Sequence, residues 1–120
     1  MLVKRTVDCV PFEAVDGCAI RELLHPGHGD CALPYSLAIA EVAAGGRTHP
    51  HRLDRAEVYF ILQGEGRLHV DESTARLAVG AAALIPAHSV QWIENLGPTP
   101  LRFAAIVSPP WDAAGDVRVD

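Results

Sequence analysis

Glu57-Val58-Tyr59-Phe60-Ile61-Leu62-Gln63-Gly64-Glu65-Gly66 is the stretch on which the fold turns. Its aromatic and β-branched residues run straight into a Gly-x-Gly pair, the pattern of a strand that stops at a tight turn. Val58 to Leu62 is apolar without alternation, which implies cover on both faces of the strand. A chain of 120 residues is hard pressed to provide that cover alone, so a homodimer is expected.

Outward from this stretch the same rhythm repeats. Candidate strands are Tyr35 to Val42, Glu57 to Leu62, Gly66 to Val70, Ala75 to Val79, Ala82 to Ile85, Val90 to Asn95 and Leu101 to Val107. Between them lie Gly45-Gly46, Gln63-Gly64-Glu65-Gly66, Asp71-Glu72-Ser73, Pro86-Ala87-His88 and Asn95-Leu96-Gly97-Pro98, all credible turns. Short strands at such spacing predict an all-β barrel or sandwich. Ala19 to Leu24 reads either as a helical turn or as a further strand. We divide the chain into N-terminal strands and loop (1–34), a β-barrel (35–108) and a C-terminal tail (109–120) that lays Trp111 against the barrel.

With 49% hydrophobic and 21% charged residues, the chain suits one folded domain rather than disorder. At this size about two thirds of the unfolded chain's surface is buried on folding, so neither metal nor disulfide is needed as a staple. The net charge of −5 and the lack of any basic run longer than Lys4-Arg5 argue against nucleic acid as a partner. The longest apolar stretch, Val79 to Val90, is broken by Gly80, Pro86 and His88, so no membrane span is expected. The start lacks a secretory pattern, and Cys9, Cys18 and Cys31 contain no C-x-x-C pair. Reduced thiols in the cytoplasm are the expectation.

The chemistry concentrates in Thr48-His49-Pro50-His51-Arg52-Leu53, followed by Glu57. Residues two apart in an extended chain share a face, so His49 and His51 are expected to project together into a barrel interior, with Glu57, Tyr59 and Ile61 inward on the next strand. Two imidazoles and a carboxylate converging in a cavity suit a divalent transition metal, while polar residues on a loop are the alternative.

Gly45, His51, Leu53, Glu57 and Gly64 resemble, in order and spacing, the first motif of the cupin superfamily. Gly80, Pro86, His88, Gln91 and Asn95 resemble the second. The resemblance implies a single-domain double-stranded β-helix, or jelly-roll barrel, around a Zn, Mn, Fe or Ni ion. In the register that satisfies both glycines, Leu53 stands where the second histidine belongs and Gln91 where the last belongs. A second register lets His49 supply the missing imidazole, with Pro50 marking an edge or bulge. The implied ligands are His49, His51, Glu57 and Gln91. His88, in the family's glycine position, is expected to be an exposed loop residue.

The family resemblance implies two kinds of function. One is metal-dependent chemistry of dioxygenase, isomerase or lyase type on a small oxygen-rich molecule, with Glu57 or Tyr59 moving the proton. The other is a non-catalytic or regulatory barrel that binds a small molecule beside a vestigial metal site. Trp92 is expected on the outer face or at a dimer contact, and His69 at the surface or satisfied in the core. Arg52 and Arg55 stand near the mouth, either pairing an anionic substrate or forming a solvated turn.

Overall fold

The computed structural model describes all 120 residues. In chain order the strands are β1 (Phe12–Glu13), β2 (Ala19–Leu24), β3 (Ser36–Val42), β4 (His51–Leu53), β5 (Ala56–Gln63), β6 (Gly66–Val70), β7 (Ser73–Leu77), β8 (Ala82–Ile85), β9 (Val90–Asn95), β10 (Leu101–Ser108) and β11 (Asp116–Arg118). They form a six-stranded sheet, β1-β2-β3-β10-β5-β8, facing a five-stranded sheet, β11-β4-β9-β6-β7. Every strand pairing is antiparallel. This is the all-β jelly-roll barrel expected from the sequence, and no helix is long and apolar enough to cross a membrane.

Strand alternation decides what fills the space between the sheets. On β10, Leu101, Phe103, Ala105 and Val107 are buried, and Arg102, Ala104 and Ile106 face outward. Leu101, Phe103 and Ala105 meet Tyr59 and Ile61 of β5, Ile93 of β9 and Leu68 of β6 in one apolar cluster. The Tyr59 and Phe103 rings lie 4.3 Å apart, centroid to centroid. Each such side chain contributes about 1.5–3 kcal/mol by leaving water. The turn after β5 needs its glycines. Gly64 sits at φ +83°, and a Cβ on Gly66 would come within 2.9 Å of Leu101 and 3.1 Å of Ile93. Asn95 closes the end of β9, donating to the carbonyls of Val42, Ala43 and Thr99 and accepting from Gly97 N–H.

Several boundaries differ from the sequence reading. Ala19–Leu24 is a strand, with Ile20 opposite Ala40 of β3. Val70 pairs directly with Ser73, so the β6–β7 turn has only Asp71 and Glu72 at its tip and β7 starts before Ala75. Asp71 makes this possible by adopting φ +50° and accepting Val90 N–H on its side chain. The segment assigned to a tail contains β11, which pairs with β4 and places Arg118 opposite His51. Both ends of the chain therefore close the barrel.

Candidate functional site

β4 and β5 carry the motif residues inward. His51 and Leu53 are both buried, with Arg52 between them facing solvent, and Glu57, Tyr59 and Ile61 are the buried residues of β5. His49 does not join them. Arg47 lies opposite Glu94 and His51 opposite Gln91, so four residue steps on one strand (47 to 51) match three on its neighbour (94 to 91). The extra residue is a bulge that breaks the two-residue parity. Thr48 turns in and hydrogen-bonds Ile93 instead. The His49 ring lies outside beside Gly17, with Nδ1 3.7 Å from Asp120.

Two residues that the sequence reading did not single out complete the inner group. Asp116 of β11 accepts from His51 Nδ1 at 2.8 Å through one carboxylate oxygen and from Trp111 Nε1 at 3.0 Å through the other. Asp16, in the turn between β1 and β2, accepts Cys18 N–H at 3.0 Å and lies 3.4 Å from His51 Nε2. That approach is close enough for ion pairing but too poorly aligned for a hydrogen bond, so Nε2 is buried without a partner, as is Glu57 Oε1. Beside them Tyr59 donates its hydroxyl to Gln91 Oε1 at 3.0 Å.

His51, Glu57, Asp16, Asp116 and Tyr59 line an internal cavity of about 60 Å³ whose walls include Phe12, Phe103 and Trp111. Glu22 and Trp111 also line a shallower outer groove, which makes them its mouth. Over that mouth the C-terminal segment is strapped down. His25 Nε2 meets Trp111 O at 2.7 Å, Trp111 N–H donates to Ser36 Oγ at 2.9 Å and Arg55 donates to Pro110 O at 2.6 Å.

Burial and charge set the protonation of the group. Loss of hydration pushes the Glu57 carboxyl up to about 7, opposed by His51 and the Gln91 amide and reinforced by the two aspartates. Burial likewise raises Asp16. For His51, burial disfavours the cation, but the Asp116 hydrogen bond and the surrounding carboxylates outweigh it and the imidazole stays protonated above its ordinary range. Burial holds the Tyr59 phenol and the Cys18 thiol protonated, so Cys18 offers no thiolate nucleophile.

The other sequence candidates lie elsewhere. His88 is exposed at φ +70°, the left-handed backbone that makes glycine usual there. Trp92 stacks on His69 on the outer face with ring centroids 3.7 Å apart. Arg52 donates to His88 O, and Arg55 holds Asp54 and the strap rather than the cavity.

The family model for the cupin domain matches residues 38–107, more than half of the chain. The protein belongs to the cupin family. This cupin is 34% identical over 112 residues to an uncharacterized protein of Methanocaldococcus jannaschii, covering 92% of this chain and 89% of that one. In structure it is similar to a predicted oxalate decarboxylase of Thermotoga maritima, with TM-score 0.74, 23% identity and coverage of 90% and 99%. It also resembles the Lactobacillus farciminis oxalate decarboxylase formate complex, with TM-score 0.80 and 24% identity. There it covers 94% of its own length but 34% of the other chain. Likeness at this identity speaks for the fold.

The residues present do not assemble the metal shell that the motif resemblance implied. No three His, Cys, Asp or Glu side chains are arranged to hold an ion. Leu53 offers hydrocarbon, His49 lies outside, and the Gln91 oxygen is engaged by Tyr59. On the cavity wall, His51 Nε2 and Glu57 Oε1 are buried without a hydrogen-bond partner.

Proposed function

We propose that this cupin binds a small polar molecule inside the barrel, anchored by His51 and Glu57, which are also placed to exchange a proton with it. The carrying observation is the pair of buried, unpartnered atoms, His51 Nε2 and Glu57 Oε1, on the wall of one cavity. Buried polar groups left unmatched cost about 1–3 kcal/mol each, and a ligand that hydrogen-bonds both recovers that energy. A protonated imidazole backed by Asp116 donates, while the Glu57 carboxyl, with its value near 7, accepts or gives a proton at neutral pH. Chemistry, if the ligand reacts, is then proton transfer within the walls of the barrel. Oxalate and formate, suggested by the structural likenesses, would meet four carboxylates on this wall, so neither is the expected ligand.

The reading is tested by calorimetry and thermal shift on chelator-treated protein against a panel of small polar compounds. His51→Ala and Glu57→Gln are expected to weaken a hit by roughly tenfold or more, about 1.4 kcal/mol. Stabilisation that appears only after Mn, Zn or Ni is restored, and disappears with chelator, favours the metal-dependent function and overturns this one.

The outer face of the larger sheet supports a homodimer. Phe60 and Leu62 of β5 and Leu84 of β8 are 40%, 45% and 72% exposed, side by side with outward Ala104 and Ile106 of β10. This is the face that the unbroken apolar run Val58 to Leu62 requires to be covered, and a second copy offers the same apolar surface in return. Sedimentation at micromolar concentration is expected to show a dimer that Leu84→Glu dissociates. A monomeric wild type removes the proposal.

A further inference from the structure

Apart from His51, every charged side chain on the cavity wall is a carboxylate: Asp16, Glu22, Glu57 and Asp116. No lysine or arginine reaches it. Two of the four carboxylates have side-chain hydrogen-bond partners of their own, and Asp16 has only the backbone N–H of Cys18. Asp116 holds His51 and Trp111, and Glu22 meets His28 at 2.8 Å near the mouth. Asp16 and Glu57 remain, one 3.4 Å from an imidazole already committed to Asp116, the other with an oxygen that touches no donor. Glu57 is only 7% exposed, so when ionised its charge has little water to stabilise it. The interior is short of positive charge.

The remaining wall is aromatic. Phe12, Tyr59, Phe103 and Trp111 line the same cavity as the carboxylates. Ring faces attract cations through their quadrupole, and a desolvated carboxylate beside them attracts the same charge. An anion entering here meets repulsion from both, against the single attraction of the His51 imidazolium. A neutral molecule satisfies the hydrogen bonds but leaves the charge unmatched.

We propose that the ligand of this chamber is a small organic cation, an ammonium or amidinium compound of few heavy atoms, held by Glu57 and Asp16 against the aromatic wall. This rests on the barrel being a ligand chamber and adds the ligand's charge; such a ligand donates to Glu57 and Asp16, while His51 Nε2 keeps facing Asp16 at 3.4 Å. An amidinium suits the two carboxylates because its planar N–H groups donate to both while its carbon end packs on the rings. The cavity volume of about 60 Å³ restricts the ligand to a small one.

Acetamidinium, acetamide and acetate share one shape and differ in charge, so they separate charge from fit. Binding to the full-length protein at matched ionic strength, followed by calorimetry and by the indole N–H resonance of Trp111, is expected to rank acetamidinium first. Its affinity should exceed that of acetamide by roughly tenfold or more, with acetate weakest. Glu57→Gln and Asp16→Asn are expected to shrink the gap between acetamidinium and acetamide. The wild-type ranking alone decides the matter if either variant fails to fold. Acetate or acetamide binding as tightly as acetamidinium, dependent on His51, overturns the cationic ligand and leaves the chamber standing. A divalent ion that displaces acetamidinium at lower concentration also overturns it. If none of the three probes binds, the chamber reading falls with it.

Discussion

The unfolding temperature is expected to fall by on the order of 10 °C between about pH 5 and about pH 8, and Glu57→Gln is expected to remove most of that fall. The sign follows from the direction of the shift. Glu57 titrates near 4.5 in the unfolded chain and at about 7 when folded. Between these values the unfolded state has released its proton and the folded state has not, so rising pH favours unfolding. The span of about 2.5 units amounts to about 3 kcal/mol, present below the lower value and lost above the upper. Asp16, raised by burial, and His51, raised by Asp116 and its neighbours against burial, act in the same direction. The surface carboxylates paired with basic side chains, among them Asp30, Glu65 and Glu94, are shifted downward. Their stabilisation is lost only as pH drops through the more acidic range, outside this window. Circular dichroism melts across the range check the claim. Parallel profiles for wild type and Glu57→Gln would show that the carboxyl is solvated.

How much of this was legible depended on the length and regularity of each element. β6, β8 and β9 have the bounds read from the sequence, because their apolar patterns end at glycine, proline or asparagine turns. β1, β4 and β11 have two or three residues each, too few for a period to register. The site was legible to the same extent. His51 and Glu57 sit inward as strand parity predicts, and Tyr59 follows Glu57 on β5. His49 was misplaced because parity holds only along an unbroken ladder, and the extra residue between Arg47 and His51 reverses it. Asp16 and Asp116 gave no local signal. One belongs to an Asp-Gly turn and the other to a three-residue edge strand, and only closure of the barrel by both chain ends brings them to His51.

That closure makes Asp116 the residue whose loss should be felt most widely. Its carboxylate is shared by His51 Nδ1 and Trp111 Nε1, so it joins the site to the strap across the mouth. Asp116→Ala leaves two donors without an acceptor where the paired side chains of Asp116 and His51 are each 6% exposed. Removing one partner of a buried ion pair costs about 3–5 kcal/mol, and deprotonation of His51 limits the loss here to about 3 kcal/mol at neutral pH. The imidazole should then titrate lower, because the hydrogen bond that favoured its cation is gone. Asp116→Asn keeps one acceptor oxygen and turns the other position into a donor, so it should recover one partner and part of the stability. Trp111→Phe removes the indole N–H and, combined with Asp116→Ala, should cost about 1 kcal/mol less than the sum of the single changes. Denaturant melts of the wild type and the four variants supply the energies, and the His51 ring resonance followed against pH supplies the titration. Additive energies with an unchanged His51 titration would mean that the strap and the site are independent. Coupling would instead show that an opening of the C-terminal segment changes the protonation of the buried histidine, so that entry to the cavity and the state of its acid group are one equilibrium.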